Sequence, residues 1–128
     1  MHVTTTSIEL MVDDVPLTLS FYQQVLGAKV LAQEEESGLL YWALVDLAGT
    51  RVSFKNAVRL RKEATFFRDT TVGGAIALCL NVDDLQASYA FVQQACDTLD
   101  HPHLTPCGGK QFSLKDNNGY VITFEQHG

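Results

Sequence analysis

The chain is short of positive charge, of long apolar runs and of cysteine, and each shortage closes a route. Nine Lys and Arg stand against fifteen Asp and Glu, leaving a net charge of −6 and a pI near 5.0. That balance argues against a general attraction to nucleic acid or to an anionic membrane surface. No apolar run approaches the roughly 20 residues that a membrane span needs. The opening MHVTTTSIELMV also lacks the basic region and long apolar stretch of a signal peptide. The sequence therefore reads as soluble and cytoplasmic. Cysteine is confined to Cys79, Cys96 and Cys107, an odd number without metal-type spacing. Free thiols in a reducing compartment are expected, not disulfides. Low-complexity segments are also absent.

What is present is enough for one compact domain: 128 residues, 46% hydrophobic and 19% charged. Half that length is near the size at which a domain becomes marginal. This matters because the chain is built of two similar halves. Leu10–Gln24, LMVDDVPLTLSFYQQ, reappears 70 positions later as Leu80–Gln94, LNVDDLQASYAFVQQ. Leu10, Val12, Asp13, Asp14, Phe21, Gln23 and Gln24 all meet identical residues, where unrelated segments would agree at about one position in fifteen to twenty. The same ungapped shift lays Asp46 on Asp116, Gly49 on Gly119, Ser53 on Thr123 and Phe54 on Phe124. The duplicated unit is thus close to a half-chain, and the halves should need each other or a partner chain.

Residues 5–12 alternate as a strand with one face in a core. Asp13 and Asp14 ahead of Pro16 then signal a helix start. Val15, Leu19, Tyr22 and Leu26 recur at helical spacing, and Gly27 is a natural C′ residue. Strands follow at 28–35, 39–47 and 50–55, so the unit is βαβββ. The second half repeats the order: a strand at 75–82, a helix at 84–96, and strands at 102–106, 110–115 and 119–126. Asn118-Gly119 signals a type I′ hairpin. Residues 57–74 between the units carry Arg59, Arg61, Lys62 and Arg68 with Phe66 and Phe67. They read as a solvated connector or as a mobile basic flap over a pocket. The organisation expected is one domain with a first module at about 5–56, a linker at 57–74 and a second module at about 75–126.

With two βαβββ repeats in hand, VDDVPLTLSFYQQVLGAKV and GGKQFSLKDNNGYVITFEQ together resemble the vicinal-oxygen-chelate superfamily. That group includes glyoxalase I, extradiol dioxygenases, fosfomycin-resistance enzymes and bleomycin-resistance proteins. The likeness spans essentially the whole chain, although the proline usual in the last turn is missing from Asp116-Asn117-Asn118-Gly119. It implies an α+β fold in which two curved mixed sheets form a cup with helices outside. It also implies metal-ligand positions that fall here on Ser7, Ser53, Ala77 and Thr123. The repeat agrees with this mapping, since 7 and 77, and 53 and 123, are 70 apart.

Three hydroxyls and a methyl offer no anionic or imidazole donor, so they do not make a zinc, nickel or iron site. The metal-polarised chemistry of glyoxalases and dioxygenases loses its basis with them. A slip of one residue would bring only Ile8, Phe54, Leu78 and Phe124. Two positions along lie Glu9, Lys55, Cys79 and Glu125, which are the charged or reactive groups placed in the cup. Glu9 is either a ligand contact or paired, most simply with Lys55 or Arg51, and with Glu125 it could form an acid–base pair. Glu125, near the end of its strand, is expected to be half exposed. Cys79 by default is a small buried hydrophobe. Tyr41 and Trp42 face opposite sides of one strand. Trp42 maps onto Phe112, either as core or as an aromatic wall on each half of the cup. His101 and His103, with Pro102 between them on an edge strand, form an incomplete site.

These readings give a ligand-binding set of Glu9, Trp42, Ser53, Lys55, Cys79, Phe112, Thr123 and Glu125, with no metal, cofactor or catalytic residue assigned. The expected function is metal-free binding of a small, partly aromatic and cationic molecule, similar to a bleomycin-resistance protein and of use in antibiotic resistance. The alternative is a metal-dependent lyase, isomerase or dioxygenase with displaced ligands. A blander reading is a subunit whose cup is filled by its own side chains. A small-molecule ligand and a second copy in a homodimer are the expected partners, with no nucleic acid and no membrane.

Overall fold

The protein is described by a computed structural model covering residues 1–97 and 99–127. It contains two compact units, Met1–Gly73 and Gly74–Gly128. No helix among the described residues is long and apolar enough to cross a membrane.

In the first unit, β1 (Ile8–Val12) leads into α1 (Val15–Leu26), followed by β2 (Lys29–Glu36), β3 (Leu39–Leu47) and β4 (Thr50–Asn56). The sheet order is β1-β4-β3-β2, with β1 parallel to β4 and the other neighbours antiparallel. Asp14 starts α1 as foreseen: its backbone is extended and its carboxylate accepts the Leu17 N–H at 3.0 Å. Gly27, with φ +68°, ends the helix in the left-handed conformation that glycine adopts without steric cost. The helix buries Val15, Leu19 and Tyr22, and the sheet buries Leu10, Val12, Val45, Val52 and Phe54. The Tyr22 and Phe54 rings lie 4.6 Å apart.

The second unit runs β5 (Gly74–Asn81), α3 (Leu85–Gln93), β6 (His103–Leu104), β7 (Lys110–Lys115) and β8 (Tyr120–Gln126). Its order, β5-β8-β7-β6, repeats that of the first sheet, again with one parallel pair. Asp84 caps α3 just as Asp14 caps α1, accepting the Ala87 N–H at 3.0 Å. Thr18 and Ser88 make the same backbond, to the carbonyls of Asp14 and Asp84. The duplicated aspartates thus do duplicated work. The fold is α+β, two tandem βαβββ modules.

Two local expectations need correction. The segment after β4 is no irregular connector: Ala57–Glu63 is a helix, α2, followed by a 3₁₀ turn at Thr65–Phe67. The Asn56 side chain caps α2 by accepting the Arg59 N–H at 3.2 Å. Ala57 and Leu60 pack with Met11, and Ala64 and Val72 lie against this cluster. A capping Asn with apolar residues at 57, 60 and 64 is a helix signal masked by the many cations around it.

The second correction concerns turns. Two-residue loops with both φ values positive join β2 to β3 at Ser37-Gly38 and β3 to β4 at Ala48-Gly49. At Asn118-Gly119 only Gly119 has positive φ. Asp116 N–H donates to the Tyr120 carbonyl at 2.9 Å, and Gly119 N–H to the Asp116 carbonyl at 3.2 Å. That is a three-residue loop ending in a glycine bulge, pinned by the buried Asp116 carboxylate, which accepts from Asn118 N–H and Tyr120 N–H.

Candidate ligand-binding face

The extra turn residue in the second unit changes which side chains reach which face. In the first sheet Ala43 pairs with Phe54 and Trp42 with Lys55. In the second, Phe112 pairs with Phe124 and Gln111 with Glu125. A shift of 70 holds for β4 and β8, but β7 is displaced by one residue relative to β3. A one-residue slip turns every side chain to the other face. Phe112 is therefore the counterpart of Ala43, not of Trp42, and lies on the helix side. It is fully buried, stacked on Phe124 at 4.7 Å and edge-on to Tyr89 of α3 at 5.2 Å. The second aromatic wall expected from Phe112 is core packing.

On the face of the first sheet opposite α1, the register sets Glu9 beside Ser53, and Trp42 beside Lys55 one row along. Glu9 is exposed, and its Oε1 accepts two hydrogen bonds, from Trp42 Nε1 at 3.0 Å and from Ser53 Oγ at 3.1 Å. Among the described residues nothing donates to the second carboxylate oxygen. The carboxylate is thus held by groups that leave its charge uncompensated. Neither of the ion pairs expected for Glu9 forms. Lys55 turns away to Glu63 of α2, with which it makes a 2.5 Å ion pair.

Glu63 also accepts from Arg59 Nε at 2.8 Å, and Arg59 Nη1 reaches Glu36 at 2.8 Å. The Arg59 guanidinium stacks 3.6 Å from the centre of the Tyr41 ring, and the Tyr41 hydroxyl donates to Glu34. The hydrogen bonds from Lys55 and then from Arg59 hold the Glu63 carboxyl below its ordinary range. Glu36, with a further contribution from Glu63, raises the already high Arg59 value. The bond to Glu34 raises the Tyr41 phenol. A chain of charges therefore ties α2 to β2, β3 and β4. The sequence placed Arg59 only among the cations of a connector or basic flap and gave Glu63 no role, although their i, i+4 spacing was visible.

On the face of the second sheet opposite α3, Cys79 pairs in register with Thr123, and Thr123 with Ser113. The Ser113 and Thr123 hydroxyls are 2.8 Å apart. Cys79 is exposed, contrary to its default reading, and the buried thiol is Cys96. Glu125 is half-buried between Asn81 and Gln111. His101 meets the Tyr89 hydroxyl through Nδ1 at 3.2 Å, and His103 lies in register with Gln111.

The four positions implied as metal ligands do not suit a transition metal. Ser7 precedes β1 and Ala77 has no donor atom. The Ser53 hydroxyl is given to Glu9, and that of Thr123 is engaged with Ser113. Across from Ser53 stands Glu9, and across from Thr123 stands Cys79, so each strand pair supplies at most one strong donor. Among the described residues no three His, Cys, Asp or Glu side chains gather as a metal site would require.

A family model described as Glyoxalase/Bleomycin resistance protein/Dioxygenase superfamily matches residues 2–124, and the chain belongs to this superfamily. No curated protein matches it. A glyoxalase/bleomycin resistance protein/dioxygenase family enzyme from Burkholderia phytofirmans PsJN superposes with a TM-score of 0.78 at 18% identity, covering 94% of this chain and 95% of that one. TnmS3, an antibiotic binding protein from Streptomyces sp. CB03234, gives 0.72 at 24% identity, covering 99% and 100%. The fosfomycin resistance protein FosX from Listeria monocytogenes gives 0.74 at 11% identity, covering 100% and 96%.

Proposed function

We propose that this member of the glyoxalase/bleomycin resistance/dioxygenase superfamily is a small-molecule-binding protein that works without a metal. Its ligand is a small organic cation with an aromatic part. The observation that carries this reading is the Glu9 carboxylate, exposed yet fixed by the indole N–H of Trp42 and the hydroxyl of Ser53. A carboxylate beside an aromatic ring suits an amine-bearing ring system, which can stack on the indole and donate an ammonium hydrogen bond to the oxygen left over. Glu34, the register partner of Trp42 on its other side, adds negative charge.

Similarity to an antibiotic binding protein supports the class of ligand. The donor set on both sheets supports the absence of metal chemistry. In this reading Thr123, Cys79 and Glu125 of the second sheet also contribute polar groups to ligand binding, and two copies pair as a homodimer in the cytoplasm. Isothermal titration against amine-bearing aromatic antibiotics and metabolites, with wild type and Glu9→Gln, tests the reading. Saturable binding that falls at least tenfold in Glu9→Gln is expected. No binding across the panel, or a stoichiometric transition metal in protein purified without chelators, would contradict it.

A further inference from the structure

Glu9 and Lys55 stand beside Trp42 on the face opposite α1, and they do not have equal effect. Glu9 donates its charge to the surroundings, because its partners are a neutral indole and a neutral hydroxyl. Lys55 stands directly beside Trp42 in the register and diagonally from Glu9. Such neighbours lie roughly 5 Å and 7–8 Å apart, close enough for its ammonium to cancel the carboxylate. It does not reach Glu9, because Glu63 of α2 takes it. Arg59, the other cation near this end of the sheet, is likewise occupied by Glu63 and Glu36. Arg51, also on this face, is the other diagonal neighbour of Glu9, two residues along β4 from Ser53, but it stands beside Asp46 in the register and forms no ion pair with Glu9.

We propose that Glu63 is the residue that determines charge specificity at this face. By pairing with Lys55 it keeps the ammonium away from Glu9, and so makes the surface beside Trp42 selective for cations. The inference rests on the proposed ligand-binding role of Glu9 and Trp42, and adds to it a residue from a different element. Glu63 itself touches no ligand in this account; it is a positioning residue that acts through Lys55. Freed from Glu63, Lys55 has the reach to pair with Glu9 or to meet an anion on the indole.

The test uses two probes that share a ring and differ in charge, 1-naphthylmethylamine and 1-naphthoate, titrated into the full-length protein at low salt. Wild type should prefer the amine. Glu63→Gln should lower the ratio of amine to carboxylate affinity by about three- to tenfold, the size expected for one unscreened charge several ångströms from the ligand. Glu63→Gln combined with Lys55→Met should restore the ratio, which loss of α2 packing alone would not do. An unchanged ratio in Glu63→Gln, or no recovery in the double variant, would overturn the role of Glu63 while leaving ligand binding intact. If wild type binds neither probe at millimolar concentration, the binding role of this face falls and the role of Glu63 falls with it.

Discussion

The two modules share a plan but put it to different uses, and one residue in a turn makes the difference. In the first, a two-residue turn at Ala48-Gly49 sends Trp42 to the face opposite the helix, next to Glu9. In the second, the three-residue turn around Asn118 shifts β7, so the large aromatic at the matching sequence position enters the core instead. Duplication preserved the caps, the helices and the paired strands. Turn length then assigned the aromatic of one module to packing and that of the other to the surface.

The sharpest way to break this comparison is to truncate both aromatics. Phe112→Ala should cost about 3–5 kcal/mol, as expected for a fully buried aromatic. Trp42→Ala, half-buried, should cost only about 1 kcal/mol. Urea denaturation of the two variants measures the difference, and equal losses would refute the assignment of faces. The turns come next. Asp116→Ala should cost about 2–3 kcal/mol, because a buried carboxylate satisfies two N–H groups. Asp46→Ala, whose bond to Gly49 N–H is 3.4 Å long, should stay within about 0.5 kcal/mol. Where the modules agree, the variants should agree: Asp14→Ala and Asp84→Ala should each cost about 1 kcal/mol, seen as similar shifts of the urea midpoint.

The smallest effect concerns Glu63, which has no counterpart in the second module. Its carboxyl is held below the usual range by Lys55 and Arg59. Its contribution to stability is therefore complete above the unfolded-state value and lost as pH falls through the lower folded-state value. Wild type should exceed Glu63→Gln slightly in melting temperature at neutral pH, and the two should converge in acid, as pH falls through the lowered folded-state value. A gap that persisted in acid would show that the pairing is not what separates them.

Much of this was legible in the residues. Asp14 and Asp84, the apolar spacing of both helices and the strand alternation are local signals, and the structure honours them. The partner of Lys55 was not legible. Glu63 follows in a cation-rich segment whose helix is set by packing on Met11, a contact with a residue far away in sequence. Nor could an ungapped repeat reveal the slip at Phe112, because Asn118-Gly119 is compatible with either turn and only the hydrogen bonds of Asp116 decide between them. The same blindness made Cys79 look buried and left Glu9 open between an ion pair and a ligand contact.

The account turns on whether the face carrying Glu9 meets the ligand, and the chain offers a reporter there. Trp42 is its single tryptophan, and its indole N–H is the group bonded to Glu9. Following that one indole resonance by ¹H–¹⁵N correlation while 1-naphthylmethylamine is added tests the claim directly. A saturable shift in wild type, with the same dissociation constant as calorimetry and lost in Glu9→Gln, is the predicted result. Calorimetric binding that leaves the indole resonance unmoved would place the ligand elsewhere and contradict it.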